Sequence, residues 1–213
     1  MTRKTFGPVL VGAMALFTLA VYPLLPDRIP VHWNLWGEVD GWTGKWPGAF
    51  VAPALALGVW LLLQVLPKVD PRRRNYERFQ ETYWVVVNMV IGFIGLVHVL
   101  SLGTALGWPI GVPRVILVLV GVLFVALGNY LPRLRPNWWM GIRTPWTLEN
   151  DRVWRDTHRL GGKTFVAAGL VMMVSAFLPP AFATVALVAA MVLGAGVPLV
   201  YSYVLWRREQ RRV

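Results

Sequence analysis

Cysteine is absent from the 213 residues. That excludes a disulfide framework, a thiolate nucleophile and any Cys-ligated zinc or iron–sulfur centre. Charge is scarce as well: 15% of the residues are Asp, Glu, Lys or Arg, against about 25% in a soluble domain. No Asp, Glu, Lys or Arg stands deep in a long apolar run, although ion and proton pumps normally need one. No Ser-nucleophile motif or phosphate-cradling Gly-rich loop is present either. What the chain has in quantity is apolar surface, with 56% hydrophobic residues and 12 tryptophans. That is the composition of an integral membrane protein.

A bilayer core of about 30 Å needs about 20 mostly apolar residues per helix. Six stretches qualify: Phe6 to Leu25, Ala49 to Leu66, Tyr83 to Leu106, Val115 to Leu131, Thr164 to Leu178 and Ala181 to Trp206. The expected fold is all-α with six transmembrane helices. The fifth stretch is short before Pro179-Pro180 and must borrow length from the segment before it or thin the bilayer. The first is long and runs into Tyr22-Pro23-Leu24-Leu25-Pro26, unlike a cleaved signal peptide with its small-residue site. The expected division is a membrane hairpin over 1–82, with a Trp-rich outer loop at 26–47 and a basic inner connection, then a four-helix region over 83–213 with a loop at 132–163.

Positive charge sets the orientation. Of the 21 Lys and Arg, 18 fall in the N-terminus, the second and fourth connections and the C-terminal tail; the other connections hold Arg28, Lys45 and Arg114. The positive-inside rule therefore predicts both termini in the cytoplasm of a multi-pass membrane protein. The net charge of +11 lies on that inner face and calls for no direct nucleic-acid contact. Eleven of the 12 tryptophans stand in or beside connections and only Trp60 deep in a span, as interfacial rings do.

Within the spans, Ala186, Ala190 and Gly194 recur every four residues, and Gly92 and Gly95 lie close together; such faces let backbones approach. Pro198 removes a backbone donor and predicts a kink near Gly194 to Gly196. Asn88 and His98 are the deep polar residues, to be read as interhelical hydrogen bonds or as a polar pathway. Gln64 and Asn129 stand nearer span ends.

Two connections carry unusual chemistry. The outer one, Pro26 to Trp46, has prolines at its entry and glycines that mark tight turns between short extended pieces. His32, Glu38 and Asp40 are weak candidates for a divalent metal; alternatively the carboxylates pair with Arg28 or Lys45. The inner one runs from Asn137 through Trp138-Trp139-Met140-Gly141-Ile142-Arg143-Thr144-Pro145-Trp146-Thr147 to Lys163. Thr147 is a candidate N-cap, and Gly161-Gly162 is expected to end the helix. On that helix Arg152, Arg155 and Arg159 share one side and Val153, Trp154 and Thr157 the other, so the arginines face lipid phosphates or an acidic partner. Arg143, beside Thr144-Pro145, is the better candidate for a specific contact.

The connections also parallel each other. Leu25-Pro26, then Pro30, Trp33 and Gly37, matches Leu131-Pro132, then Pro136, Trp138 and Gly141, with the Leu-Pro pairs 106 residues apart. An inverted 3+3 repeat is the expectation.

The stretch Ile29-Pro30-Val31-His32-Trp33-Asn34 with Gly37-Glu38 and Asp40 resembles a P-x-H-(W/F)-N-x-x-G-x-x-D membrane domain of unassigned function. Gly128-Asn129-Tyr130, the run Asn137 to Thr147, Val153-Trp154, Thr157-His158-Arg159 and Gly161-Gly162 resemble the SdpI family. The resemblance implies a multi-pass bacterial plasma-membrane immunity and signal-receptor protein that protects against a secreted, membrane-active antimicrobial peptide, with a cytoplasmic DNA-binding repressor as a further partner. Membrane lipids are the remaining partner and no cofactor is expected. The resemblance further implies a sensing loop of His32, Trp33, Asn34, Gly37, Glu38 and Asp40. Its inner motif comprises Asn129, Asn137, Trp138, Gly141, Arg143, Thr144, Pro145, Trp146, Trp154, Thr157 and His158. The competing classes are a small transporter or flippase with access near His98 and Asn88, and an enzyme using the outer metal candidates or His158 with Asp156.

Overall fold

A computed structural model describes residues 4–34 and 38–211. Gly37, expected in the sensing loop, lies outside the described residues. The helices are α1 (Phe6–Val21), α2 (Lys45–Val69), α3 (Gln80–Ala105), α4 (Val112–Tyr130), α5 (Pro145–Glu149), α6 (Asp151–Ser175), α7 (Pro180–Met191) and α8 (Val197–Gln210), with strands β1 (Arg28–Trp33) and β2 (Val39–Gly44) between α1 and α2. Five segments are long and apolar enough to cross a membrane: Phe6–Leu24, Lys45–Val69, Gln80–Ala105, Val112–Arg133 and Pro180–Gln210. Their exposed faces carry large apolar side chains such as Leu16, Leu61, Phe182 and Val185. Lipid, not water, is the solvent those faces fit.

The chain divides into two units. The first comprises the chain up to Gln64 with Val87–Leu119 and the second Val65–Val86 with the chain from Val120 onward. In the first, the outer connection is an antiparallel hairpin whose register pairs Arg28 with Gly44 and Trp33 with Val39. Ile29 anchors it in a core with Leu25, Ala49 and Leu102. Gly48, in the first turn of α2, permits this approach, since a Cβ there would lie 2.8 Å from that of Ile29.

In the second unit α4 and α6 meet backbone to backbone. A Cβ on Gly128 would stand 2.7 Å from the Gly162 carbonyl oxygen, one on Gly162 would stand 2.7 Å from the Gly128 oxygen, and Gly121 faces Gly169 in the same way at 2.6 Å. Seven-residue spacing on both helices puts each glycine pair two turns from the other. Gly161 and Gly162 therefore do not end a helix, contrary to the sequence expectation. α6 runs unbroken through them, because their lack of side chains is used for close packing. Most of the short fifth apolar stretch falls in the second half of this one helix, and α6 is not among the five segments long and apolar enough to cross a membrane, against the six expected from sequence.

The sequence expectation for helix starts also changes. Thr144, not Thr147, is the N-cap of α5, in a reciprocal capping box with Thr147. Asn150 caps α6 by accepting from Arg152 and Val153 N–H. The Pro198 kink takes the form of a π-helical turn over Val192–Gly196, where Val197 N–H reaches back to the Val192 carbonyl. The ring at Pro198 offers no donor, so the helix widens one turn ahead of it. Of the small-residue faces, Ala190 packs with Ala168 and Met172 and Gly194 lies near Phe124 and Ala168. Gly92 has nothing within 4 Å of a modest added Cβ, so it does not mark a close approach.

Candidate functional site

The motif loop after α4 is held by side chains that each satisfy several backbone groups. Asn137 is fully buried. Its amide donates to the Arg135 and Met140 carbonyls, both at 2.9 Å, and its oxygen accepts from Trp139 N–H at 2.9 Å and Met140 N–H at 2.6 Å. One side chain thus replaces the backbone pairing that a turn of this shape lacks. The connection between α2 and α3, residues 70–79, supplies the rest. Asp70 accepts from Arg72 N–H at 2.7 Å, from the Tyr76 hydroxyl at 2.8 Å and from Trp138 N–H at 2.9 Å. Burial first, and then the Asp70 carboxylate to which it donates, push the Tyr76 phenol far above its ordinary range, so it stays a donor. Asn75 donates to the Pro136 carbonyl at 2.7 Å. Arg72 donates to the Leu148 carbonyl at 2.6 Å and to Asp151 at 2.9 Å.

His158, fully buried on α6, meets the same loop. Its ring stacks on Trp154 at 4.1 Å. Nδ1 lies 2.8 Å from the Trp154 carbonyl and Nε2 accepts from Ile142 N–H at 3.0 Å. One nitrogen faces an acceptor and the other a donor, which defines a neutral tautomer. Burial lowers its pKa to about 4, against the opposing effect of the Trp154 carbonyl. With both nitrogens committed, the acid–base pair with Asp156 considered from sequence is not assembled. Gly141, with φ at +106°, lets the loop turn over this ring, and a Cβ there would run into His158 Nε2. The Trp154 indole donates to the Leu134 carbonyl at 3.1 Å. Thr157 is fully buried, its hydroxyl without a hydrogen-bond partner among the described residues.

Arg143 is exposed and donates from Nη1 to the Trp138 carbonyl at 2.7 Å. Thr144 contacts the Ser202 hydroxyl of α8 at 3.1 Å, Trp146 packs on Tyr203 at 5.0 Å, and the Trp206 indole donates to Glu149 at 2.8 Å. Pro145 opens α5. Asn129, grouped with the motif from sequence, is exposed and spends its amide on the Val125 carbonyl of its own helix. It does not join the cluster. Arg152, Arg155 and Arg159 are exposed while Val153, Trp154, Thr157 and His158 are buried, the two-sided helix the pattern predicts.

The hairpin solves its polar groups locally. His32 Nδ1 contacts Asp40, and Asn34 and Glu38 exchange a side-chain bond at 2.8 Å and backbone bonds at 3.0 Å. The expected pairing of the carboxylates with Arg28 or Lys45 is replaced by these partners. The weak metal candidate His32, Glu38 and Asp40 is not assembled, and no group of three such ligands occurs among the described residues. Trp33 is half-buried. His98 Nε2 bonds to Thr18 Oγ1 across helices at 2.8 Å, and Asn88 lies half-buried on α3. The first of these is the interhelical bond expected for a deep polar residue.

The residues missed from sequence are Asp70, Arg72, Asn75 and Tyr76. The signal was there: a single Asp before Pro71 in a basic connection is an Asx-turn residue in a place where charge alone suggests only topology.

Helices of this length and apolarity, with one polar loop pinned by buried side chains, define a multi-pass plasma-membrane protein. Residues 133–202 match the SdpI/YfhL protein family and residues 9–57 match a domain of unknown function, DUF1648. Over 211 residues the chain is 21% identical to the Immunity protein SdpI of Bacillus subtilis (strain 168), covering 98% of each chain. The chain is thus similar to the SdpI/YfhL family over its motif loop and the helices that follow, and to an immunity protein along its length. No solved structure matches it.

Proposed function

We propose that this protein confers immunity to a secreted, membrane-active peptide from within the bacterial plasma membrane, with the hairpin as its sensing surface. The observation that carries this reading is the end-to-end likeness to an immunity protein, over 98% of each chain. The hairpin supports it: Trp42 and Trp46 are 56% and 67% exposed beside the exposed His32 and Asp40, an aromatic and polar mixture that suits an amphiphilic peptide. Beneath it lies an apolar cavity of about 170 Å³ bordered by Val31, Trp33, Val51, Val97 and His98, large enough for an apolar side chain.

In this reading the second half of α6 crosses the membrane as a sixth span, and both termini are cytoplasmic. The hairpin then faces outward and the motif loop inward, on opposite ends of an inverted repeat. The exposed Arg143, Arg152, Arg155 and Arg159 offer a basic surface to an acidic face of a cytoplasmic repressor. The direct experiment is survival of a sensitive bacterium expressing the protein, challenged with a sporulation-delaying-type peptide. Growth at peptide concentrations that stop the vector control is expected; equal killing would sink the reading. Topology is tested separately. The chain has no cysteine, so Asp27→Cys should react with an impermeant maleimide in intact cells and Arg155→Cys only after permeabilisation.

A further inference from the structure

A second apolar cavity, of about 190 Å³, lies against the motif loop. Leu127 of α4 and Phe165 of α6 line it together with Leu131, Leu134, Met140 and Ile142. No charged or polar side chain lines it. An apolar cavity of about 150 Å³ stays dry and takes a benzene-sized group, so this one has room for part of a hydrocarbon chain. Leu127 and Leu131 belong to a segment long and apolar enough to cross a membrane, so the medium beside this wall is lipid.

The chain on either side of one lining residue carries positive charge. Leu134 is buried between Arg133 and Arg135, which are both exposed. Among the described residues neither forms an ion pair with a carboxylate. Arg133 lies over the Tyr130 ring at 4.8 Å, which keeps its guanidinium beside the end of α4. Two exposed cations that flank a lining residue of an apolar cavity in the chain, at the end of a membrane-spanning segment, complement an amphiphile with an anionic head and an apolar tail. Free phosphate would meet the arginines and leave the cavity empty.

We propose that this cavity holds an acyl-chain segment of one anionic phospholipid, whose phosphate is bound by Arg133 and Arg135. The site belongs to the motif loop and is independent of which peptide, if any, the hairpin senses. Bound there, the lipid ties the turn 131–135 to the loop residues Met140 and Ile142 through a shared apolar surface.

The test is native mass spectrometry of the full chain released from bilayers of equimolar phosphatidylglycerol and phosphatidylcholine. One retained phosphatidylglycerol per chain is expected, preferred at least tenfold over phosphatidylcholine. Arg133→Gln with Arg135→Gln should abolish that preference, and Leu127→Trp should lower total retention by filling the cavity. Millimolar inorganic phosphate should displace nothing. Equal retention of the two lipids by the unaltered chain, or a preference that survives loss of both arginines, would overturn the proposal. So would displacement by inorganic phosphate, which would make the arginines a plain anion site. Should Leu127→Trp not fold, the exposed arginine pair decides alone.

Discussion

The two Trp-rich connections enter in the same way and then part. Tyr22-Pro23-Leu24 and Leu131-Pro132-Arg133 are both 3₁₀ turns that close a helix, and in each the next residue, Leu25 or Leu134, is buried, extended, and bonds its N–H to the first carbonyl of the turn at 3.2 Å. This geometry pairs Tyr22 with Leu131, three residues away from the pairing of Leu25 with Leu131 that the Leu-Pro match suggests. Beyond the turn, the hairpin closes on itself, with His32, Asn34, Glu38 and Asp40 bonded to one another near the surface. The motif loop instead buries Asn137, Thr144, Thr147, Trp154 and His158 and draws Asp70 and Tyr76 from a distant connection. A loop whose polar groups are settled locally at the surface can change side chains freely. A loop whose polar groups are settled in the interior cannot.

The sharpest way to break this contrast is to remove one asparagine from each loop. Asn137→Ala should destabilise the protein by about 3–5 kcal/mol, since it strands several buried donors and acceptors. Asn34→Ala, at a half-exposed site, should cost under ~1 kcal/mol. Thermal unfolding in detergent measures both, and equal losses would erase the distinction.

A somewhat smaller effect comes from the glycine contact under the motif loop. Gly128→Leu meets the Gly162 carbonyl, which belongs to a helix backbone and cannot step aside, so a loss of about 3 kcal/mol is expected. Gly92→Ala, with open space around it, should instead gain up to ~1 kcal/mol from helix propensity. The two melting temperatures should move in opposite directions.

The pH dependence follows from His158. Its folded pKa is lowered to about 4, below the unfolded value of about 6.5. The unfolded chain therefore takes up the proton first as pH falls. The stability His158 lends is full above pH ~6.5 and is lost progressively down to pH ~4, by about 3 kcal/mol in total. His158→Gln, which does not titrate, should flatten the difference between melting curves at pH 7 and pH 4.5. An unchanged slope would mean that the ring is not held neutral.

The smallest effect is the most specific. Thr157→Val replaces a buried hydroxyl that has no partner among the described residues, so stability should hold or rise by up to ~1 kcal/mol. A loss above that would reveal a partner for the hydroxyl.

Much of the first unit was legible from sequence because its signals are local. The run Pro26 to Trp46 alternates turn residues with short extended pieces, and it folds as a hairpin. The Arg152, Arg155 and Arg159 stripe, the interhelical role of His98 and the disturbance ahead of Pro198 were legible for the same reason. The motif loop was legible in membership but not in function. Asn137, Trp154 and His158 stand out by type, yet the bonds that close the loop, from Trp154 to Leu134, from Ile142 to His158 and from Trp138 to Asp70, join residues too far apart in sequence for a local period to encode. Gly161-Gly162 misled because a glycine pair signals both a helix stop and a close approach. The seven-residue spacing of Gly121 with Gly128 and of Gly162 with Gly169 was the clue that separates the two.

The central claim is that the hairpin recognises and the motif loop supports. It is tested by measuring peptide protection and melting temperature together for the His32→Ala, Asp40→Ala double variant. The account predicts lost protection at unchanged melting temperature and membrane abundance. Full protection by that variant would contradict it.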